Sequence, residues 1–264
     1  MFRMTNDESM SYLFGIIIFL FGSAIGSFLN VVICRLETGE GIVKKRSHCP
    51  KCGQVLAWYD LMPLVSFFML RGKCRYCGKK ISWQYPLVEI ATGLLFVLVA
   101  VKLFPELVEG SKNLAFDFAP AALRSGNIPG FFYGLWVIGY WLYVVCSLIV
   151  IFVYDLRHYI IPDKVVFPAM IMSLVFRFLE SLAKAFDFAS LRSGNNLYPE
   201  LIEGFKITAP YFLAAFAASA FFAALIVITR GRGMGWGDVK LAFLMGLILG
   251  WSNILIALFL AFWS

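Results

Sequence analysis

"GMGWGDVKLAFLMGLILG", Gly233–Gly250, decides how the rest of the chain is read. Three glycines lead to a carboxylate, Asp238, and an apolar run suited to lipid follows at once. A charged group at the mouth of such a run is costly unless it is paired or used, so it asks for a partner at the same depth. The composition puts that run in a membrane. Of 264 residues, 61% are hydrophobic and 15% charged, whereas a soluble domain is about half apolar. The fold class expected is an all-α polytopic membrane protein: a multi-helix bundle with one small loop domain. The net charge of +7 then reports topology and not binding to nucleic acid.

A spanning helix needs about 20 mostly apolar residues. Runs of that kind are Tyr12–Cys34, Pro86–Phe104, Phe131–Tyr154, Val165–Leu182 and Ile207–Thr229. A sixth covers roughly Val239–Gly250, and a seventh starts near Asn253 and meets the chain end at Ser264, so the last helix reads as truncated. Nothing after the first run resembles a signal-peptide cleavage site. The segment Arg35–Tyr85 carries ten Lys and Arg against three Asp and Glu. The connections holding Arg157 and Lys164, and Arg230 and Arg232, are basic as well. These fall on one side if the spans alternate, and the positive-inside rule makes that side cytoplasmic, with the N-terminus outside. The expected domains are a first transmembrane helix (1–34), a cytoplasmic cysteine domain (35–85) and a transmembrane domain (86–264). The two outer connections share sequence: "PELVEGSK" (Pro105–Lys112) matches "PELIEGFK" (Pro199–Lys206), and "AFDFAPAALRSGN" (Ala115–Asn127) matches "AFDFASLRSGN" (Ala185–Asn195). The helices around them do not repeat, so they read as duplicated loop insertions.

Four of the six cysteines form two Cys-x2-Cys knuckles, Cys49/Cys52 and Cys74/Cys77, each followed by a glycine, Gly53 or Gly78. Four thiolates bind Zn²⁺ tetrahedrally, and a small loop without a core gains folding energy from the metal. A pair of disulfides is the competing reading, disfavoured on a reducing cytoplasmic face. Cys34 and Cys146 stand alone in apolar surroundings and read as small packing residues.

The partner sought for Asp238 is found in "IVIFVYDLRHYIIPDK", Ile149–Lys164, where Asp155 closes the third span on the same side. Two carboxylates sharing a site do not both ionise, so one serves as base and the other as acid, as in aspartic proteases. Gly235 and Gly237 leave room for an extended peptide beside Asp238. The plainer readings are that Asp238 caps its helix, that Asp155 pairs with Arg157 or His158, and that Asp163 caps the fourth span.

Taken together, "GSFLNVVICRLE" (Gly26–Glu37), the four-cysteine segment with "YPLVEIATG", "YDLRHYIIPD" and "GMGWGDVKLA" resemble bacterial type IV prepilin peptidases over nearly the whole chain. The resemblance implies a GxGD aspartic protease of the A24 family with Asp155 and Asp238 as its catalytic pair and Cys49, Cys52, Cys74 and Cys77 as its zinc ligands. It implies prepilin and pseudopilin substrates cut on the cytoplasmic side of the bacterial plasma membrane. It also implies S-adenosylmethionine as methyl donor to the new N-terminus. Gln84 stands where the family pattern leads one to expect arginine. Two alternatives share part of the pattern: a presenilin-like protease, which lacks the zinc loop, and a membrane zinc-ribbon scaffold whose aspartates are only caps.

Overall fold

The computed structural model describes residues 6–38, 46–103, 128–191, 197–231 and 235–263. Its helices are α1 (Asn6–Thr38), α2 (Val65–Met69), α3 (Gln84–Leu103), α4 (Ile128–His158), α5 (Asp163–Leu191), α6 (Leu197–Ile228) and α7 (Trp236–Trp263), with a 3-10 turn at Trp58–Leu61 before α2. Among the described residues the only extended pairing is two isolated bridges, His48 with Val55 and Lys73 with Lys80. Among the described residues, five helices are long and apolar enough to cross a membrane: Tyr12–Thr38, Gln84–Val101, Gly134–His158, Asp163–Leu182 and Phe205–Ile228. This is a multi-pass, all-helical membrane protein, as the composition required.

Two expectations need correcting. The second copies of the repeated sequences are not loops: Ala185–Leu191 continues α5, and Leu197 onward opens α6. Alanine, leucine, glutamate and lysine in these segments favour helix, so the helices run on past their apolar windows. The first copies, and Arg232, lie outside the described residues. The sixth and seventh runs, expected as separate helices, form one helical stretch interrupted at Gly250, whose φ of 74° and ψ of −179° suit glycine alone.

The chain divides into two compact units at Val153–Tyr154, inside α4. In the first, α1 packs along α3. Glycines permit the approach: a Cβ on Gly22 would sit 2.8 Å from the Phe96 Cβ, and one on Gly26 would sit 2.8 Å from the Glu89 Cα. Close backbones let small polar groups bond across the seam, a source of helix adhesion that lipid does not compete with. Ser23 donates to the Glu89 carbonyl at 3.3 Å, Asn30 Nδ2 to the Tyr85 carbonyl at 3.1 Å, and Cys34 Sγ lies 3.3 Å from the Tyr85 hydroxyl.

The second unit is built from α5, α6 and α7. Ala214, Ala218 and Ala242 form its centre with Ile254, and Gly246 lies directly against the backbone of Ala215. Among its described residues, one charged side chain is buried. Arg177 of α5 is 4% exposed. It donates through Nε to the Leu247 carbonyl and through Nη2 to the Ile248 carbonyl, both at 3.0 Å. Nη1 meets Glu180 at 2.8 Å, and the guanidinium lies 3.5 Å from the centre of the Tyr211 ring. The break at Gly250 strips carbonyls of the preceding turn of their helical donors, and the arginine fork replaces them.

This arrangement gives a stability expectation. Arg177→Met would orphan two carbonyls and take the cation from the half-buried Glu180, a loss of about 3 kcal/mol. Thermal unfolding in micelles should show a marked fall in midpoint. Arg177→Lys, which keeps the charge without the planar fork, should fall between this variant and the parent.

Candidate functional site

The two cysteine knuckles are near copies of each other. The Cys49 amide donates to the Gln54 carbonyl and the Gly53 amide to the Cys49 carbonyl, both at 2.9 Å. The Cys74 amide donates to Lys79 and the Gly78 amide to Cys74, again at 2.9 Å. Gly53 and Gly78 take φ of 70° and 66°, the left-handed turn that folds each loop back on its first cysteine. The four Sγ atoms lie within 4.8 Å of one another. All four cysteines are free thiols, so the disulfide reading has no support here. A tetrahedral zinc with bonds near 2.3 Å needs sulfurs about 3.8 Å apart, which a small contraction reaches.

The electrostatics also suit a cation. Burial pushes the Cys49 thiol up, but the Lys51 and Cys52 amides and the neighbouring Cys52 and Cys74 thiols outweigh it, bringing Cys49 to about 7. At Cys52 the Gln54 amide favours the thiolate, yet burial and the adjacent Cys49 and Cys77 sulfurs raise the group to about 11. The opposite shifts belong to one crowded cluster: the first proton leaves readily, and the resulting negative charge holds back the next. A metal ion removes that repulsion.

Asp60 ties the segment between the knuckles to the second knuckle. Its Oδ1 accepts from Arg75 Nε at 2.8 Å, and its Oδ2 accepts from the Tyr76 hydroxyl at 3.2 Å and the Ala57 amide at 3.3 Å. The Arg75 guanidinium also lies 5.0 Å from the Tyr59 ring centre. The sequence reading passed over Asp60, although it is the one acid between the two knuckles. Cys34 and Cys146 stand apart from the cluster, in α1 and α4.

Both aspartates belong to the second unit. Asp155 is exposed in the last turn of α4. Its carbonyl accepts from the Tyr159 amide at 2.8 Å, and Tyr159, at φ 53°, ends the helix. The Tyr154 and His158 rings sit 4.5 Å apart beside it. A short linker follows to Pro162, whose carbonyl takes the Val165 and Val166 amides and starts α5.

Asp238 lies in the first turn of α7 and is half-buried. Its Oδ2 accepts from the Gly235 amide at 3.1 Å, and its own amide donates to the Gly235 carbonyl at 3.1 Å. Asp238 therefore supports its helix from inside the first turn, reaching back to the capping position as a capping box does. Asp163 does not act as the cap of α5 that the sequence suggested. The Pro162 carbonyl takes that place, and Asp163 instead receives Lys240 Nζ of α7 at 2.7 Å.

Two contacts join the aspartate-bearing segments. A Cβ on Gly237 would lie 3.1 Å from the Ile161 Cβ, so the linker after Asp155 rests on the backbone next to Asp238. Lys240 pairs with Asp163 and lies 5.0 Å from the Phe167 ring centre. The chain from Asp155 to Ile161 extends at most roughly 20 Å, which limits how far Asp155 can lie from the first turn of α7. Lys240 was missed in the sequence, where it stood as a second unexplained charge two residues beyond Asp238.

With this geometry in place, the comparisons with known proteins are specific. The bacterial peptidase A24 N-terminal domain matches residues 20–103, and the type IV leader peptidase family matches residues 142–264. A prepilin leader peptidase/N-methyltransferase of Klebsiella pneumoniae is 30% identical over 256 residues, covering 95% of this chain and 91% of that protein. One from Xanthomonas campestris is 32% identical, covering 89% and 73%. One from Myxococcus xanthus is 52% identical over 96 residues, a stretch covering 35% of this chain and 29% of that protein. No solved structure matches the chain. Full-length similarity to these enzymes, with both family domains in order along the sequence, makes the chain a member of the type IV leader peptidase family.

Proposed function

We propose that this enzyme removes the basic leader from type IV prepilins or pseudopilins at a Gly–Phe type junction, with Asp155 and Asp238 as the catalytic dyad, and then N-methylates the new N-terminus. The observation that supports the dyad is the pair of contacts, Ile161 on Gly237 and Lys240 with Asp163, which join the linker after α4 and the start of α5 to the turn that carries Asp238. The ionised aspartate takes a proton from water as the oxygen adds to the scissile carbonyl. The protonated aspartate gives its proton to the carbonyl oxygen. As the resulting diol collapses, the C–N bond breaks and the leaving amine takes up a proton, while the dyad returns to one shared proton. The positive-inside rule, applied to the basic segments, supports the cytoplasmic face of the bacterial plasma membrane for this chemistry. There a basic leader stays in water while the apolar start of the mature pilin stays in lipid.

Cys49, Cys52, Cys74 and Cys77 would hold one Zn²⁺, a structural ion that closes a loop with little core of its own. S-adenosylmethionine would supply an electrophilic methyl group to the amine freed by the cut. The presenilin-like reading is disfavoured because the A24 N-terminal match includes the cysteine segment. The scaffold reading is disfavoured because the relatives are enzymes over nearly their whole length.

Three measurements test this. Asp155→Asn and Asp238→Asn should each cut prepilin cleavage by more than about a thousandfold in protein that still unfolds cooperatively; full activity in either would remove that residue from the dyad. Elemental analysis should find one zinc per chain. Cys49→Ser or Cys74→Ser should lose it, and Cys34→Ser and Cys146→Ser should keep it. Lys240→Met should lower kcat by about tenfold with little change in KM, since a misplaced group slows chemistry more than binding. Exchanging the charges, with Asp163→Lys and Lys240→Asp together, should restore much of the rate.

A further inference from the structure

The short helix α2 lies between the cysteine knuckles, in a segment whose charge marks it as an aqueous loop. Its contacts place it elsewhere. The Leu64 amide, at its start, donates to Glu89 Oε2 at 2.8 Å. Glu89 is buried, at 7% exposure, and its carboxylate also takes the Ser27 hydroxyl of α1. Glu89 sits about 7–8 Å along α3 from Gln84. The candidate span in α3 runs Gln84–Val101, about 27 Å of helix against a hydrocarbon core of about 30 Å, so Glu89 lies inside it. The α1 side agrees. Gly26 lies opposite Glu89 and Asn30 opposite Tyr85, and α1 continues through Val31, Val32 and Ile33 to Arg35, about 13 Å past Gly26. The start of α2 is therefore pinned below the ends of both spans.

The side chains of α2 sort accordingly. Phe67 is buried against the Trp83 ring, with centres 5.1 Å apart, and against Gly72. Val65, Phe68 and Met69 form the opposite face, and Met69 is 77% exposed. On α3 at the same level and deeper, Leu87, Leu94 and Leu98 are likewise exposed on one helical face. Immediately after α2 the backbone turns, with Arg71 and Gly72 both at positive φ, and charge resumes at Arg71, Lys73 and Arg75. An apolar face at depth followed by cations is the pattern of a helix lying in the interface, with its bases at the phosphates.

We propose that α2 is immersed at the boundary between headgroups and acyl chains, with Val65, Phe68 and Met69 against lipid. The bilayer is then the partner of this surface, and the knuckles are mounted on the membrane rather than suspended from it. The inference is independent of the catalytic reading, because no residue of the dyad enters it.

The test is photo-crosslinking of the full chain in proteoliposomes of phosphatidylethanolamine and phosphatidylglycerol. Benzoylphenylalanine is placed at Phe68, at Met69 or, for comparison, at Gln54, an exposed residue of the first knuckle. All three positions are exposed, so none of the replacements disturbs packing. Mass spectrometry should find phospholipid adducts at positions 68 and 69 several-fold above those at 54. Equal yields at all three, no lipid adduct at 68 and 69, or adducts there to a second copy or another segment of the chain would overturn the proposal.

Discussion

In the core of a bilayer a freed carbonyl has no water to turn to, and the fold of the second unit depends on how that constraint is met at Gly250. The positive φ there interrupts α7 and exposes the carbonyls of Leu247 and Ile248. Arg177 answers from α5, with Glu180 and Tyr211 holding its remaining charge and face. The cap binds α5 to α7, while the alanines of α6 let the glycine-bearing turn of α7 come close. An intramembrane arginine is a functional suspect by default. Here Nε, Nη1 and Nη2 each bond within the bundle, so this arginine serves the fold.

The same economy of polar groups appears in the first unit. Ser23, Asn30 and Cys34 bond across the α1–α3 seam, and Glu89 receives the Leu64 amide. Two buried atoms in that seam, Asn30 Oδ1 and Gln84 Nε2, have no hydrogen-bond partner. One is an acceptor and the other a donor, and both lie next to Tyr85, so a single buried water could serve the two. Gln84 is also the position where the family pattern led us to expect arginine.

The metal cluster and the aspartate end illustrate two ways of fixing a site. The knuckles are made by local turns, each closing on its own cysteine through a glycine at positive φ. Their geometry is written in a few consecutive residues. The aspartate end is assembled from segments about 80 residues apart in sequence and depends on contacts that are individually weak. One is an isoleucine on a glycine, and the other an ion pair in which Asp163 is 56% exposed. Such a pair adds little to stability, and its value lies in setting where the first turn of α7 stands.

The sequence by itself determined the membrane environment, five of the seven apolar runs as spans, and the cysteine cluster. Each of these is signalled by composition or by periodicity. It also located the interruption near Gly250, because glycine there ends an unbroken apolar stretch. It did not determine where α5 and α6 ended, since helix-forming residues carry a helix past the apolar window that marks it. Nor did it reveal what Arg177, Asp163, Lys240 and Asp60 bond to, or that α2 is pinned to Glu89 inside a span. Those facts concern pairs of groups remote in the chain, and a residue's type constrains what it can bond without choosing the partner. Only the packing of helices at fixed depth made that choice.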